Sequence, residues 1–142
     1  MGTRRRAREA ALQILFAAES SQEILPEVIG EVHSSLIEQF SLAVRARERA
    51  RTLAMGVACN RKTLDERIER ACTHWRLRRL ATVDRNILRI ATYELLFEPE
   101  IPVEVILDEA VEIARRFSGS SSPAFVNGVL DVIASDRSSP PT

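Results

Sequence analysis

Apolar residues recur along this chain with a helical period, and the breaks between the runs carry turn or proline signals. Ala7, Ala11, Ile14, Leu15 and Ala18 form one stripe, which predicts a first helix from about Arg4 to Ala18 with Thr3 as its N-cap. Arg5, Arg8, Leu12 and Phe16 lie on an adjoining stripe. Ser20 to Gln22 breaks the pattern. Pro26 then opens a second helix whose apolar face is Val28, Ile29, Val32, Leu36 and Ile37. After a connector at Ser41 to Val44, helical pattern runs from about Arg45 to Thr73 with a bend expected near Gly56. Thr63 to Glu66 matches a capping box, so this run reads as one bent helix or as two. Trp75 to Leu80 holds a short helix or turn.

The last third is the clearest. Thr82 to Phe97 is apolar around most of its circumference: Ile87, Leu88, Ile90, Ala91, Leu95, Leu96 and Phe97. A helix of that kind is buried among others. Pro99 and Pro102 stop it, because proline cannot continue a helix and disfavours one in the residue before. Val103, Ile106, Leu107, Ala110, Val111 and Ala114 predict an amphipathic helix over Val103 to Phe117. Ser118 to Ser121 is the next loop. Ser122 and Pro123 suit an N-cap and a first helical position, and the last helix runs to about Ala134. Within it, Gly128 is expected to let a neighbouring helix approach, with Asn127 bonding to backbone at the crossing. The sum is an all-α bundle of six to seven helices. Residues 1–134 read as one helical domain in two halves, about 1–75 and 76–134, followed by a disordered tail at 135–142.

Composition changes this picture little. The chain has 142 residues, enough for one domain with a substantial core. No stretch reaches the roughly 20 continuous apolar residues of a membrane helix, and Met1 to Arg8 lacks the apolar segment of a secretory signal. Cys59 and Cys72 fit no metal spacing and read as free thiols in a reducing, cytoplasmic setting.

Charge changes it more. Twenty basic residues balance 20 acidic ones, yet they are segregated along the chain. Arg4, Arg5, Arg6 and Arg8 face only Glu9. Glu19 to Glu38 carries no Lys or Arg. Arg45, Arg47, Arg49 and Arg51 form a second basic block, and Arg76, Arg78, Arg79, Arg85 and Arg89 a third. Glu94 to Glu112 is acidic throughout. Such blocks could offer one surface to phosphate and another to a basic protein, or could simply be solvated helix faces.

No catalytic constellation stands out. His33 and His74 are far apart in sequence, without Cys or Asp at ligand spacing, so no metal and no cofactor are expected. There is no P-loop, no GxGxxG and no GxSxG. Asp108 and Glu109 are neighbours on one helix and face different directions. The sharpest candidate is the Arg4, Arg5, Arg6 and Arg8 cluster. Guanidinium groups fork onto phosphates and stack on bases, and four at one helix start make a positive surface. The alternative is a frayed basic terminus. Phe16 could stack a base beside that cluster or pack into the core. Arg85 and Arg89 sit in a helix that is mostly buried, so each must reach solvent or a partner, such as an internal carboxylate at Glu109 or Glu112.

The strings DRNILRIATYELLF, IPVEVILDEAVEIARRF and SPAFVNGVLDVI, with RRRAREAALQILF at the start, resemble the bacterial transcription antitermination factor NusB family. These matches cover somewhat under half the chain, and the middle is similar in helical pattern and length only. The resemblance implies a NusB-like fold and a non-enzymatic, RNA-binding factor. It implies that Arg4, Arg5, Arg6, Arg8, Phe16, Arg89 and Phe125 contact boxA RNA of the nascent ribosomal RNA leader. It implies NusE, a ribosomal protein, as partner, and an RNA polymerase elongation complex with other Nus factors as the place of action. Asp84, Glu94, Glu98, Glu100 and Glu104 are the acidic candidates for the basic partner. Relatives commonly carry acidic residues where this chain has the serines before Pro123. Two rivals remain at this level. One is a helical adaptor or homodimer without RNA. The other is a stand-alone relative of the N-terminal domain of a ribosomal RNA cytosine methyltransferase, which would need a cofactor-binding domain not seen before Thr142.

Overall fold

A computed structural model describes residues 2–21, 23–39, 42–72 and 76–137. Seven α-helices follow one another: α1 (Thr3–Ser21), α2 (Pro26–Leu36), α3 (Val44–Cys59), α4 (Arg61–Ala71), α5 (Thr82–Phe97), α6 (Val103–Phe117) and α7 (Ser122–Arg137). Short 3-10 turns lie at Ile37–Gln39 and Leu77–Arg79. Among the described residues there is no strand, and no helix is long and apolar enough to cross a membrane. His74 and Trp75 lie outside the described residues.

The chain divides into two units, residues up to Arg61 and residues from Lys62 onward. The division falls well before the expected boundary near residue 75. The reason is α4, which buries Leu64 and Ile68 and whose Asp65 and Arg67 pair with residues of the second half.

In the first unit α1 packs mainly on α3, with α2 against both. The contact is built from small side chains. Ala7, Ala10 and Ala11 of α1 and Ala46, Ala50 and Ala54 of α3 are all buried, with Ile14, Leu15, Leu53 and Val57 filling the space between turns. Alanine faces let two helices approach closely, and the larger residues give the burial its energy. On α2, Val28 and Ile29 are buried, while Val32 and Leu36 are only half-buried. The long run from Arg45 to Thr73 is two helices, and the break is neither at Gly56 nor at the Thr63 box. It is at Asn60. Its backbone N–H donates to the Gly56 and Val57 carbonyls, and its Nδ2 donates to Gly56 O at 2.8 Å. One residue thus closes the last turn of α3, so α4 can start at the next position.

In the second unit α5, α6 and α7 pack pairwise. Leu88 and Leu95 of α5, Ile106 and Ala114 of α6, and Val126, Leu130 and Ile133 of α7 form the core. Polar residues of α5 are drawn inside too. Asn86 and Thr92 are fully buried. The end of α7 is fastened twice: Arg137 Nη2 donates to the Glu98 carbonyl at 2.9 Å, and Asp136 pairs with Arg67 at 3.0 Å. Residues 135–137, expected in a disordered tail, are therefore helix, and 138–142 lie outside the described residues. Gly128 and Asn127 are exposed, and a Cβ on Gly128 would meet nothing within 4 Å. Among the described residues no helix crosses there, contrary to the expectation from the sequence.

Candidate nucleic-acid interface

The arginines of α1 divide by helical angle. Arg4 and Arg6 are exposed and Arg5 is half-buried. Arg8 is only 4 % exposed, so it does not belong to the outward cluster. It stands three, four and seven residues before Ala11, Leu12 and Leu15, all buried, and a residue at those offsets shares their face. Two turns further on, Phe16 is 43 % exposed. Its ring is available for stacking. Leu12, between Phe16 and Arg8 on the same stripe, is buried.

The arginines of α5 are used internally. Arg89 is 3 % exposed, and its guanidinium forks onto one carboxylate: Nε to Asp65 Oδ1 at 2.8 Å and Nη2 to Asp65 Oδ2 at 3.1 Å. Nη1 donates to Asn86 Oδ1 at 3.0 Å. Two-point recognition of this kind commits the fork to Asp65. Arg89, expected at the RNA, is thus engaged within its own unit, with Asp65 of α4 as one carboxylate partner. Arg85 is half-buried and caps a different group. Its Nη1 donates to the Leu80 carbonyl at 2.8 Å and the Leu77 carbonyl at 3.4 Å.

That arrangement holds the 3-10 turn, where Arg78 and Arg79, and Arg76 just before it, are exposed. Arg79 and Phe125 line a cavity of about 360 Å³ together with Asp84, Ser121 and Ser122. Phe125 is half-buried, one turn into α7. The cavity thus brings together an aromatic side chain, a guanidinium, serine hydroxyls and the Asp84 carboxylate that the Ser122 hydroxyl bonds. Such a set suits an unstacked base and its phosphate. The sequence points to Phe125 but not to Arg79. The signal for Arg79 lies in the basic block from Arg76 to Arg79, where three of four residues are Arg.

The acidic candidates also divide. Glu94 is 1 % exposed and is itself engaged in an interaction. It follows Ile87, Ile90 and Ala91 by seven, four and three residues, which puts it on a buried face of α5. Asp84 is half-buried and accepts from two hydroxyls: Ser118 Oγ at 2.5 Å and Ser122 Oγ at 3.0 Å. Neither fits an open docking residue. Glu100 and Glu104 are exposed and Glu98 half-buried, beside the exposed Phe97 and Val105. Among the described residues no group of three His, Cys, Asp or Glu is placed to hold a metal ion. His33, instead, donates from Nε2 to the Arg47 carbonyl at 3.4 Å. Burial, with a smaller contribution from the Glu69 carboxylate, pushes the Cys72 thiol up.

Fold and surfaces together describe a helical protein with arginine and aromatic side chains set out in the manner of nucleic-acid binders. Residues 5–135 match the NusB family model. A transcription antitermination protein NusB from Sorangium cellulosum is 46 % identical over 94 % of this chain and 93 % of its own length. One from Desulfotalea psychrophila is 43 % identical over 94 % and 96 %. Among solved structures, T. maritima NusB superposes with a TM-score of 0.80 at 44 % identity, over 94 % of this chain and 91 % of that one. NusB in a complex of the antitermination factors NusB and NusE with double-stranded RNA gives 0.81 at 26 % identity, over 96 % and 98 %. The chain belongs to the NusB family.

Proposed function

We propose that this chain is an RNA-binding transcription antitermination factor that works by assembly and carries out no chemistry. With NusE it holds boxA RNA of the nascent ribosomal RNA leader, and the complex acts on elongating RNA polymerase together with other Nus factors, in the bacterial cytoplasm. The observation that carries this reading is the likeness along nearly the whole chain to a NusB that was solved with NusE and RNA. In the first unit the RNA contacts are Arg4, Arg5, Arg6 and Phe16. In the second they are Arg79 and Phe125. Arg8 and Arg89 support the fold instead, because both are buried.

NusE, being basic, meets Glu98, Glu100 and Glu104, where Phe97 and Val105 supply an apolar centre to the acidic rim. A gel shift with boxA RNA, with and without NusE, tests the whole reading. A shifted complex that tightens when NusE is added is expected, and so is a loss of affinity with rising salt. Absence of any RNA complex in either lane would leave a helical adaptor. Methyl transfer to ribosomal RNA from a methyl-donor cofactor would restore the methyltransferase relative. Charge reversal in Glu100→Lys and Glu104→Lys should weaken NusE binding more than it weakens RNA binding to the free protein.

A further inference from the structure

Asp84 stands in the first turn of α5, where a carboxylate is favoured by the helix end. Its two oxygens are each taken by a serine from a different place. Ser118 is the residue that ends α6, and Ser122 is the residue that begins α7. The two hydroxyls also touch each other at 2.9 Å. One carboxylate therefore gathers the ends of three helices, and the serines it holds bracket the connector from Ser118 to Ser121. Within that connector Ser122 N–H donates to the Gly119 carbonyl at 3.1 Å, and Phe125 N–H donates to the Ser121 carbonyl at 3.3 Å. Phe125 is three residues beyond Ser122, so it moves with whatever fixes Ser122. The adjacent residue, Arg85, steadies another part of the same cavity's lining by holding the carbonyls of Leu77 and Leu80, which flank Arg79 in sequence.

We propose that Asp84 is a positioning residue for RNA: it clamps the connector between α6 and α7 so that the Phe125 ring faces the cavity opposite Arg79. This rests on the reading of that cavity as an RNA contact. The clamp has a sign that separates it from simple electrostatics. A carboxylate lining an RNA site repels phosphate, so removing its charge should on that ground alone tighten binding. A clamp gives the opposite result. Without Asp84 the serines lose a charged acceptor, the connector samples other arrangements, and the ring must be ordered when RNA arrives.

The test is a double-mutant cycle in the full chain with NusE present, titrated with fluorescently labelled boxA RNA. Asp84→Ala should weaken RNA binding about tenfold. It should leave the slope of log affinity against log salt unchanged, because every cation that meets a phosphate is still in place. In the Phe125→Ala background the same substitution should cost little, since the ring it positions is gone. Ser118→Ala, which keeps the Ser122 bond, should give a smaller loss of the same kind, and it stands in for Asp84→Ala if that variant does not fold. Unchanged or tighter binding in both clamp variants, with Phe125→Ala itself weakened, would overturn the clamp and leave the RNA cavity standing. An equal loss from Asp84→Ala in both backgrounds would overturn it too, by showing an effect that does not pass through Phe125. If Phe125→Ala alone binds RNA as the parent does, the cavity is not an RNA contact and the clamp falls with it.

Discussion

The start of α1 and the start of α5 look alike in sequence: each sets arginines before and among apolar residues. In the folded chain they do opposite things. At α1 the helix begins before its packed face does, so Arg4 and Arg6 stay in solvent and only Arg8, which has reached the packed region, is taken inside. At α5 most of the surface is covered by α6, α7 or polar partners, so Arg89 is taken inside and Arg85, half-buried, is turned onto backbone carbonyls. An arginine contributes a surface charge only where its helix has a free face. Elsewhere it becomes a hydrogen-bonding strut, and a carboxylate or a set of carbonyls must be supplied for it.

The largest effect that sharpens this contrast is expected at Asp65. Asp65→Ala strands the buried Arg89 guanidinium and should destabilise the protein by ~3–5 kcal/mol, the range for breaking a buried pair from one side. Because Asp65 itself is 23 % exposed, water can reach the gap and the lower end is expected. Denaturant titration measures it. A loss below ~1 kcal/mol would return Arg89 to the solvent-facing class.

Leu88→Ala and Leu95→Ala come next, at ~2–5 kcal/mol each, since both side chains are buried in the helix that all its neighbours cover. Melting within a degree or two of the parent would show that α5 is not enclosed.

Next is a split within α1. Arg4→Ala with Arg6→Ala should leave stability within about 0.5 kcal/mol and flatten the salt dependence of RNA binding, by a slope of roughly 0.7 for each single-strand phosphate no longer neutralised. Arg8→Ala should do the reverse, lowering the melting temperature while the salt slope holds. If Arg8→Ala flattens the slope as Arg4→Ala with Arg6→Ala does, Arg8 reaches the RNA and its burial is not what decides its role.

The smallest effect concerns a neutral group under the same rule of burial. Cys59 is exposed, whereas Cys72 is partly covered with its thiol pushed up. A raised thiol holds less thiolate at any given pH, so iodoacetamide at pH 8 should label Cys59 before Cys72, as read by peptide mass spectrometry. Equal rates would show α4 opening as readily as the end of α3.

Periodicity found the helices because each one buries a stripe with a single spacing. The bounds of α6, and of α5 with its proline stop, could be read directly from sequence. The break at Asn60 could not, because it depends on one amide side chain reaching back four residues rather than on a proline or glycine. The candidate site was half legible. Arg4, Arg6, Phe16 and Phe125 carry chemistry that exposure leaves available, and the residue types announce it. Arg8, Arg89, Asp84 and Glu94 announce the same chemistry, yet each is spent on an internal partner or buried face that only the tertiary arrangement supplies. The polar pattern alone cannot separate a charge that meets solvent from one that meets Asp65 or Ser118.

The twofold fastening at the end of α7 sets where the chain can be shortened. Composition invites a cut after Ala134, since the residues that follow are polar and include Pro140 and Pro141. Such a cut would delete Asp136 and Arg137 together, releasing Arg67 on α4 and uncovering the Glu98 carbonyl at the end of α5. Three helices would fray from one deletion, and the ragged end would become a first target for proteases. A truncation ending at Arg137 keeps both fastenings.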